Sequence, residues 1–218
     1  YDSRLLGQPS VAVETAKNEV IAMGNLALDN IKYAAEATQK NDQTMVDKVY
    51  EIEHKVDLYE KYLTDFLIKV NNLSITQEQH LLVKNLFHAI IDIERVSDHA
   101  ENIADAAKQR KEDGISFSKD AQKELGEMLD MVNKLIQYSV DMFVKGDETH
   151  MKDVITLEDN VDAMEKLLQK KHVERLTKGE CTPEAGMIFS DIASGLERVA
   201  DHATNIAFAI VDAEKEAE

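Results

Sequence analysis

An all-α protein of six long antiparallel helices, arranged as two tandem three-helix bundles, is what three observations in this sequence predict. The 218 residues hold eight Gly, two Pro and no Trp, with Ala, Leu, Glu, Lys and Gln in excess, which is the usage of a nearly all-helical chain. Apolar residues recur at alternating spacings of three and four, the signature of helices packed along a seam. Third, part of the chain is written twice. Ile93-Glu94-Arg95-Val96-Ser97-Asp98-His99-Ala100-Glu101-Asn102-Ile103-Ala104 returns as Leu196-Glu197-Arg198-Val199-Ala200-Asp201-His202-Ala203-Thr204-Asn205-Ile206-Ala207. Ile52-Glu53-His54-Lys55-Val56-Asp57 returns as Leu157-Glu158-Asp159-Asn160-Val161-Asp162.

Taken in order, Gly7-Gln8-Pro9 precedes a first helix with Ser10 as its cap, running to Asn41. The second opens on Asp42 and runs to Asn71-Asn72, with a seam of Val49, Ile52, Val56, Tyr59, Leu63 and Phe66. The third opens on Thr76-Gln77-Glu78-Gln79, a capping box, and reaches about Lys111 along Leu82, Leu86, Ala89, Ile93, Val96, Ala100, Ile103 and Ala107. The fourth runs from Ser118 to Lys145 and stops at Gly146; the fifth takes Asp147 as cap and ends near Gly179. Thr182-Pro183 starts the sixth, with the seam Phe189, Ile192, Leu196, Val199, Ala203, Ile206 and Ile210. The resulting division is a junction over 1–9, a first repeat over 10–112, a linker over 113–117 and a second repeat over 118–218. Met23 and Met128 correspond across the repeats and read as core filler.

A net charge of −17 argues against nucleic acid or an anionic membrane surface as partner and favours cations or basic partners. The single cysteine, Cys181, excludes an internal disulfide and suits a reducing compartment; beside Gly179-Glu180 it reads as inert. No apolar run approaches the roughly 18 to 20 residues that span a bilayer, and no signal-peptide pattern is present. The opening on Tyr1 rather than Met is read as the mark of a chain cut from something longer.

Residues four apart share a helix face, so Glu53/Asp57, Glu94/Asp98, Glu158/Asp162 and Glu197/Asp201 each set two carboxylates side by side. With 42 acidic residues, roughly eight such pairs arise by chance, and a single pair is usually a solvated face. Phase makes these four different: each Glu directly follows a seam residue, Ile52, Ile93, Leu157 or Leu196, which places every pair on the flank or outer side of its seam. Adjacent helices then bring two pairs to one groove in each repeat. Like charges at this spacing cost a helix about 0.2 to 0.5 kcal/mol each, so something positive is expected between them. Arg95 and Arg198 are one candidate and a bound cation the other. Oxygen ligands suit Mg²⁺, Mn²⁺, Fe or Ca²⁺, while His99 and His202 would shift the preference toward iron or zinc if they reach the groove. Helix–helix hydrogen bonding is an equal reading for His99, Asn102, His202 and Asn205; His54, His80, His88, His150 and His172 read as surface.

Catalytic motifs are missing. The sequence has no P-loop, no Gly-x-Ser-x-Gly elbow and no nucleotide-binding glycine fingerprint. Glu51/His54 alone has the Glu-x-x-His spacing of di-iron bundles, and Thr156 and Asp159 replace it in the second repeat.

The long motifs at Glu94–Ile103 and Glu197–Ile206, completed by Glu53/Asp57 and Glu158/Asp162, closely resemble the PhoU domain, and the match covers nearly the whole chain. The resemblance implies a regulator of inorganic phosphate uptake and signalling, not an enzyme. It implies surface metal clusters, multinuclear and of iron or zinc with Mn, Mg or Ca as alternatives, held by Glu53, Asp57, Glu94, Asp98, Glu158, Asp162, Glu197 and Asp201. Implied partners are a membrane phosphate transporter, in the same chain or another, or its sensor kinase, with phosphate reached through the metal; a homo-oligomer is compatible. Asp2-Ser3-Arg4-Leu5-Leu6-Gly7-Gln8-Pro9 is similar to the junction that follows the membrane part of bacterial Na⁺/phosphate cotransporter-family proteins, which implies a cytoplasmic domain tethered to the inner face of the membrane. Rival readings are a metal-free acidic scaffold that docks a basic partner, and a carboxylate-metal phosphohydrolase or oxidase. Glu101 against Thr204 suggests that the two sites hold different numbers of ions.

Overall fold

In a computed structural model of the protein, residues 3–146 and 148–217 are described, the side chains of 210–217 excepted. After a 3₁₀ turn, Ser3–Gly7, come six helices: α1 (Pro9–Lys40), α2 (Gln43–Asn71), α3 (Gln77–Glu112), α4 (Lys119–Lys145), α5 (Met151–Thr177) and α6 (Pro183–Ala217). No strand occurs among the described residues. The sequence of six long helices is thereby shown. Tyr1-Asp2 of the junction motif, the Asp147 cap and the Ile210 side chain lie outside the described residues.

The helix ends follow local chemistry. Asp42 caps α2 by accepting the Thr44 N–H, and Ser118 caps α4 by accepting from Ala121 N. The Thr76–Gln79 capping box is complete in both directions, and Thr182 Oγ1 accepts from Ala185 N at the start of α6. Two starts differ from the sequence reading. α1 begins at Pro9, after Gln8 and without a side-chain cap, because proline is preformed for the first helical position; Ser10 lies inside the helix. α5 begins only at Met151, after a turn through Thr149 and His150. Asn41 and Gly146 occupy the same place in the two repeats and both turn into left-handed backbone, at φ 53° and 66°.

Helices α1, α3, α4 and α6 form the centre, with α3 against α6 and α1 against α4 joining the two repeats. Outside them α2 packs on α1 and α3, and α5 on α4 and α6. One continuous apolar core results. Of the seam residues read from sequence, Tyr59, Leu82 and Leu157 are half-buried and the others with described side chains are buried; Met23 and Met128 are fully enclosed. Where α6 crosses α3, a Cβ on Gly195 would come within 3.3 Å of Ile103 Cγ1, so a small residue sets how closely these helices approach. Arg110 pins the connection between repeats: it donates to the Thr38 carbonyl at 2.8 Å and the Ile115 carbonyl at 3.1 Å, with its guanidinium over the Phe117 ring.

Candidate metal centres

Each repeat brings its acidic pairs together where the flanking helix lies on the central one. In the first, Glu53 and Asp57 on α2 meet Asp98 on α3, with ligand oxygens all within 4.8 Å of one another. In the second, Asp162 on α5 meets Glu197 and Asp201 on α6 within the same limit. Glu94 and Glu158 stand outside these triads but feel them electrostatically. All eight residues expected from sequence thus fall at two places, six of them close enough to share ions.

Glu53 departs from the flank position expected of it. It is 7 % exposed, because the groove between α2 and α3 closes over it. Burial, a shared hydrogen bond with Asp98 and the charges of Asp98 and Asp57 push its carboxyl up to about 8, although the Ser97 hydroxyl bond opposes the rise. In the second site, burial and then the hydrogen bond and charge of Asp201 raise Glu197 to about 8 and Glu158 to about 7, with Asp162 adding a hydrogen bond to Glu197 and repulsion at both. Burial and then Asp98 raise Glu94 as well. Crowded carboxylates without a counter-charge are left with shared protons.

The arginines do not supply that counter-charge. Arg95 and Arg198 are exposed, and among the described residues no ion pair joins either to the eight carboxylates. Arg95 lowers the Glu94 pKa only behind larger opposing causes. The donor set is suited to a hard or borderline cation. All ligand atoms are carboxylate oxygens, and Asp162 Oδ1 is buried without a hydrogen-bond donor, an orphaned acceptor that a cation would satisfy.

The histidines have other work. His99 and His202 stack with ring centroids 5.5 Å apart where α3 meets α6, and His202 Nδ1 lies 3.0 Å from Asp92 Oδ1, which also accepts from Asn205. That is the helix–helix hydrogen bonding read beside ligation. His172 corrects the surface reading: it is buried, and Gly186 makes the room, since a Cβ there would fall 2.0 Å from the imidazole Cε1. His80 and His150 are half-buried, the first on Asn71 and the second against Tyr138, Asp141 and Asp153.

Sequence reasoning did not find the polar residues behind the first site. Fully buried Asn30 donates to Ser97 Oγ at 2.9 Å, and the Ser97 hydroxyl donates to Glu53 Oε2. Tyr50 donates to Asp105 at 2.5 Å beside Glu101, whose carboxyl is raised by burial and by Asp105, Asp98 and Asp57. The one available signal was the departure from repetition, Ser97 against Ala200 and Glu101 against Thr204.

Both the sequence and the fold match known proteins. The family model described as PhoU domain matches residues 20–107 and 125–210, once in each repeat. The chain is 28 % identical over 193 residues to the phosphate-specific transport system accessory protein PhoU homolog 1 of Thermotoga maritima, covering 87 % of this chain and 82 % of that one. With the corresponding protein of Clostridium acetobutylicum it shares 24 % identity over 200 residues, 89 % of this chain and 88 % of the other. The fold matches the crystal structure of PhoU from Pseudomonas aeruginosa with a TM-score of 0.90 at 22 % identity, over 96 % of this chain and 100 % of that one. It matches PhoU from Streptococcus pneumoniae at 0.84 and 19 %, over 96 % and 98 %. A family match in both repeats, on the helices that carry all four acidic pairs, establishes that this chain belongs to the PhoU domain family.

Proposed function

We propose that this chain is a metal-binding regulatory module for inorganic phosphate uptake, acting on a phosphate transporter or its sensor kinase. The regulatory reading draws on its relatives, whose names make them accessory proteins of phosphate-specific transport systems. The metal reading rests on one observation: each repeat gathers three carboxylates within 4.8 Å, with no cationic side chain paired to them among the described residues. Glu53, Asp57, Glu94 and Asp98 would hold one cluster, and Glu158, Asp162, Glu197 and Asp201 the other. The family resemblance points to iron or zinc, while the all-oxygen donor set suits Mn, Mg, Ca or iron, because His99 and His202 are engaged with each other and with Asp92. A bound cation would invert the local charge, so that phosphate or an acidic segment of a partner could approach a surface that otherwise repels both. The protein's own contribution is to hold the oxygens in place across two helices, and no turnover is part of the proposal.

Elemental analysis of the wild type beside Glu94→Ala/Asp98→Ala and Glu197→Ala/Asp201→Ala tests it. Several ions per chain, partly lost in each variant, are expected. An empty wild type that stays empty after reloading with iron, zinc and manganese would overturn it and leave the acidic face as a docking surface for a basic partner, the reading that the net charge of −17 favours. Charge reversal at Glu94 and Asp98 separates the two, since only a docking face loses its partner in the presence of chelator.

A further inference from the structure

The core behind the first site is polar where the second is apolar. Asn30 and Ser97 are fully buried, and their counterparts in the second repeat, Leu135 and Ala200, are equally buried. Leu135 follows Met128 at the spacing at which Asn30 follows Met23, and Ala200 precedes Asp201 as Ser97 precedes Asp98. The second repeat therefore demonstrates that this layer packs without polar atoms. Keeping an amide and a hydroxyl there is costly, the more so because Asn30 Oδ1 is buried with no hydrogen-bond partner. A polar pair that packing does not need calls for another use.

Its direction supplies one. Asn30 Nδ2 donates to Ser97 Oγ, so the hydroxyl hydrogen is turned away from α1 and toward Glu53 Oε2. With Oε2 held by the hydroxyl, the Glu53 carboxylate is fixed in orientation beside Asp57 and Asp98. We propose that Asn30 and Ser97 are positioning residues for the first metal site: they fix the Glu53 carboxylate before an ion arrives, so the two sites differ in affinity and the first fills before the second. The inference rests on the metal reading given above. Groups that hydrogen-bond a metal-ligating carboxylate typically change metal affinity by about tenfold to a hundredfold. These hydrogen bonds also link α1, which carries none of the eight carboxylates, to the first site through Ser97.

The test is calorimetric titration of the full chain with Mn²⁺ and, separately, Zn²⁺. In a Glu197→Ala/Asp201→Ala background only the first site is read, and there Ser97→Ala is expected to weaken binding by about tenfold or more. Ser97→Thr, which keeps the hydroxyl, should restore it to within a few-fold, and Ser97→Cys should fall between. In a Glu53→Ala/Asp98→Ala background only the second site is read, and Ser97→Ala should leave it unchanged. Far-ultraviolet circular dichroism confirms folding, and the Thr and Cys series serves if the alanine variant does not fold. Equal affinities for Ala, Cys and Ser at position 97, or equal loss at both sites, would overturn the positioning role while leaving metal binding intact. A wild type that binds neither ion at either site would overturn the metal reading itself, and this inference with it.

Discussion

Helices α2 and α5 hold the same station in the two repeats, each laid on the outside of two central helices and each carrying a Glu-x-x-x-Asp pair, yet they are anchored differently. α2 buries apolar side chains along its length and finishes on Phe66, Leu67 and Val70. The corresponding positions of α5 are Lys171, His172 and Arg175, and its buried side chains are Val154, Val161, Leu168 and His172. Where α2 closes on the core, α5 leaves a cavity of about 580 Å³ bounded by His172, Arg175, Phe189 and the turn through Cys181. On the other side of Arg175, Glu124 is buried and held by Arg175 at 3.3 Å and Lys171 at 3.3 Å. The acidic pairs survived duplication while the packing beneath them drifted, so the carboxylates are not by-products of the core. The second site also hangs on the more weakly embedded helix.

The largest expected effect tests that anchoring. Phe66→Ala removes a fully buried ring and should cost about 3–5 kcal/mol, whereas Lys171→Ala at the matching position loses a half-exposed ion pair and should cost under about 1 kcal/mol. Denaturant unfolding measures both; equal costs would mean that α5 is as embedded as α2. Hydrogen exchange in chelator should show α5 amides opening before those of α2.

Next in size is a dependence on pH common to both sites. Glu53 and Glu197 lie at about 8 and Glu158 at about 7, all above the ordinary carboxyl value. A carboxyl raised in the fold binds its proton more tightly there than in the unfolded chain, so its stabilisation is complete below about pH 4.5 and lost as pH rises through the folded value. Metal-free protein should therefore melt at progressively lower temperature from about pH 5 to about pH 8. Glu53→Gln should flatten the part due to the first site, and Glu197→Gln the part due to the second. A melting temperature that rose over this range in chelator would contradict the crowding of unpaired carboxylates.

Much of this was legible because helices advertise themselves. The Thr76–Gln79 capping box, the Gly146 stop and the seams on α2, α3 and α6 are local patterns with a fixed period, and the four acidic pairs share a phase with those seams. What stayed hidden depends on contacts between distant residues. Nothing near Asn30 in sequence announces that it will meet Ser97, and nothing near Asp92 announces His202. The burial of Glu53 depends on how closely α2 settles on α3, which no single helix encodes. His172 read as surface because its partner in space, Gly186, lies on another helix.

A smaller effect sharpens the same contrast at the cavity. Gly186→Ala would drive a methyl into the His172 ring, and overpacking of this kind costs about 1–3 kcal/mol. Adding His172→Ala to Gly186→Ala should return part of the loss, and the pair should be non-additive in a double-mutant cycle. Independent effects would show that the ring moves freely into the cavity.

The smallest expected effect concerns how each flanking helix begins. α2 enters through Asp42, whose carboxylate accepts the Thr44 N–H at 2.9 Å, whereas α5 enters after His150, which makes no side-chain cap. Asp42→Ala should cost about 1 kcal/mol, which for a chain of this size is a fall of roughly 2–4 °C in melting temperature. Asp42→Ser should restore most of it, because a hydroxyl caps nearly as well; a serine as damaging as alanine would assign the loss to charge near the helix N-terminus instead. His150→Ala removes no cap, so its cost should follow from the Tyr138 ring contact and the Asp141 pair and should shrink when Tyr138 is also changed. A cap holds only the first turn of a helix, and Glu53 lies well beyond that turn. Metal affinity at the first site should therefore survive Asp42→Ala even as α2 loses stability, which separates the anchoring of the helix from the positioning of its carboxylate.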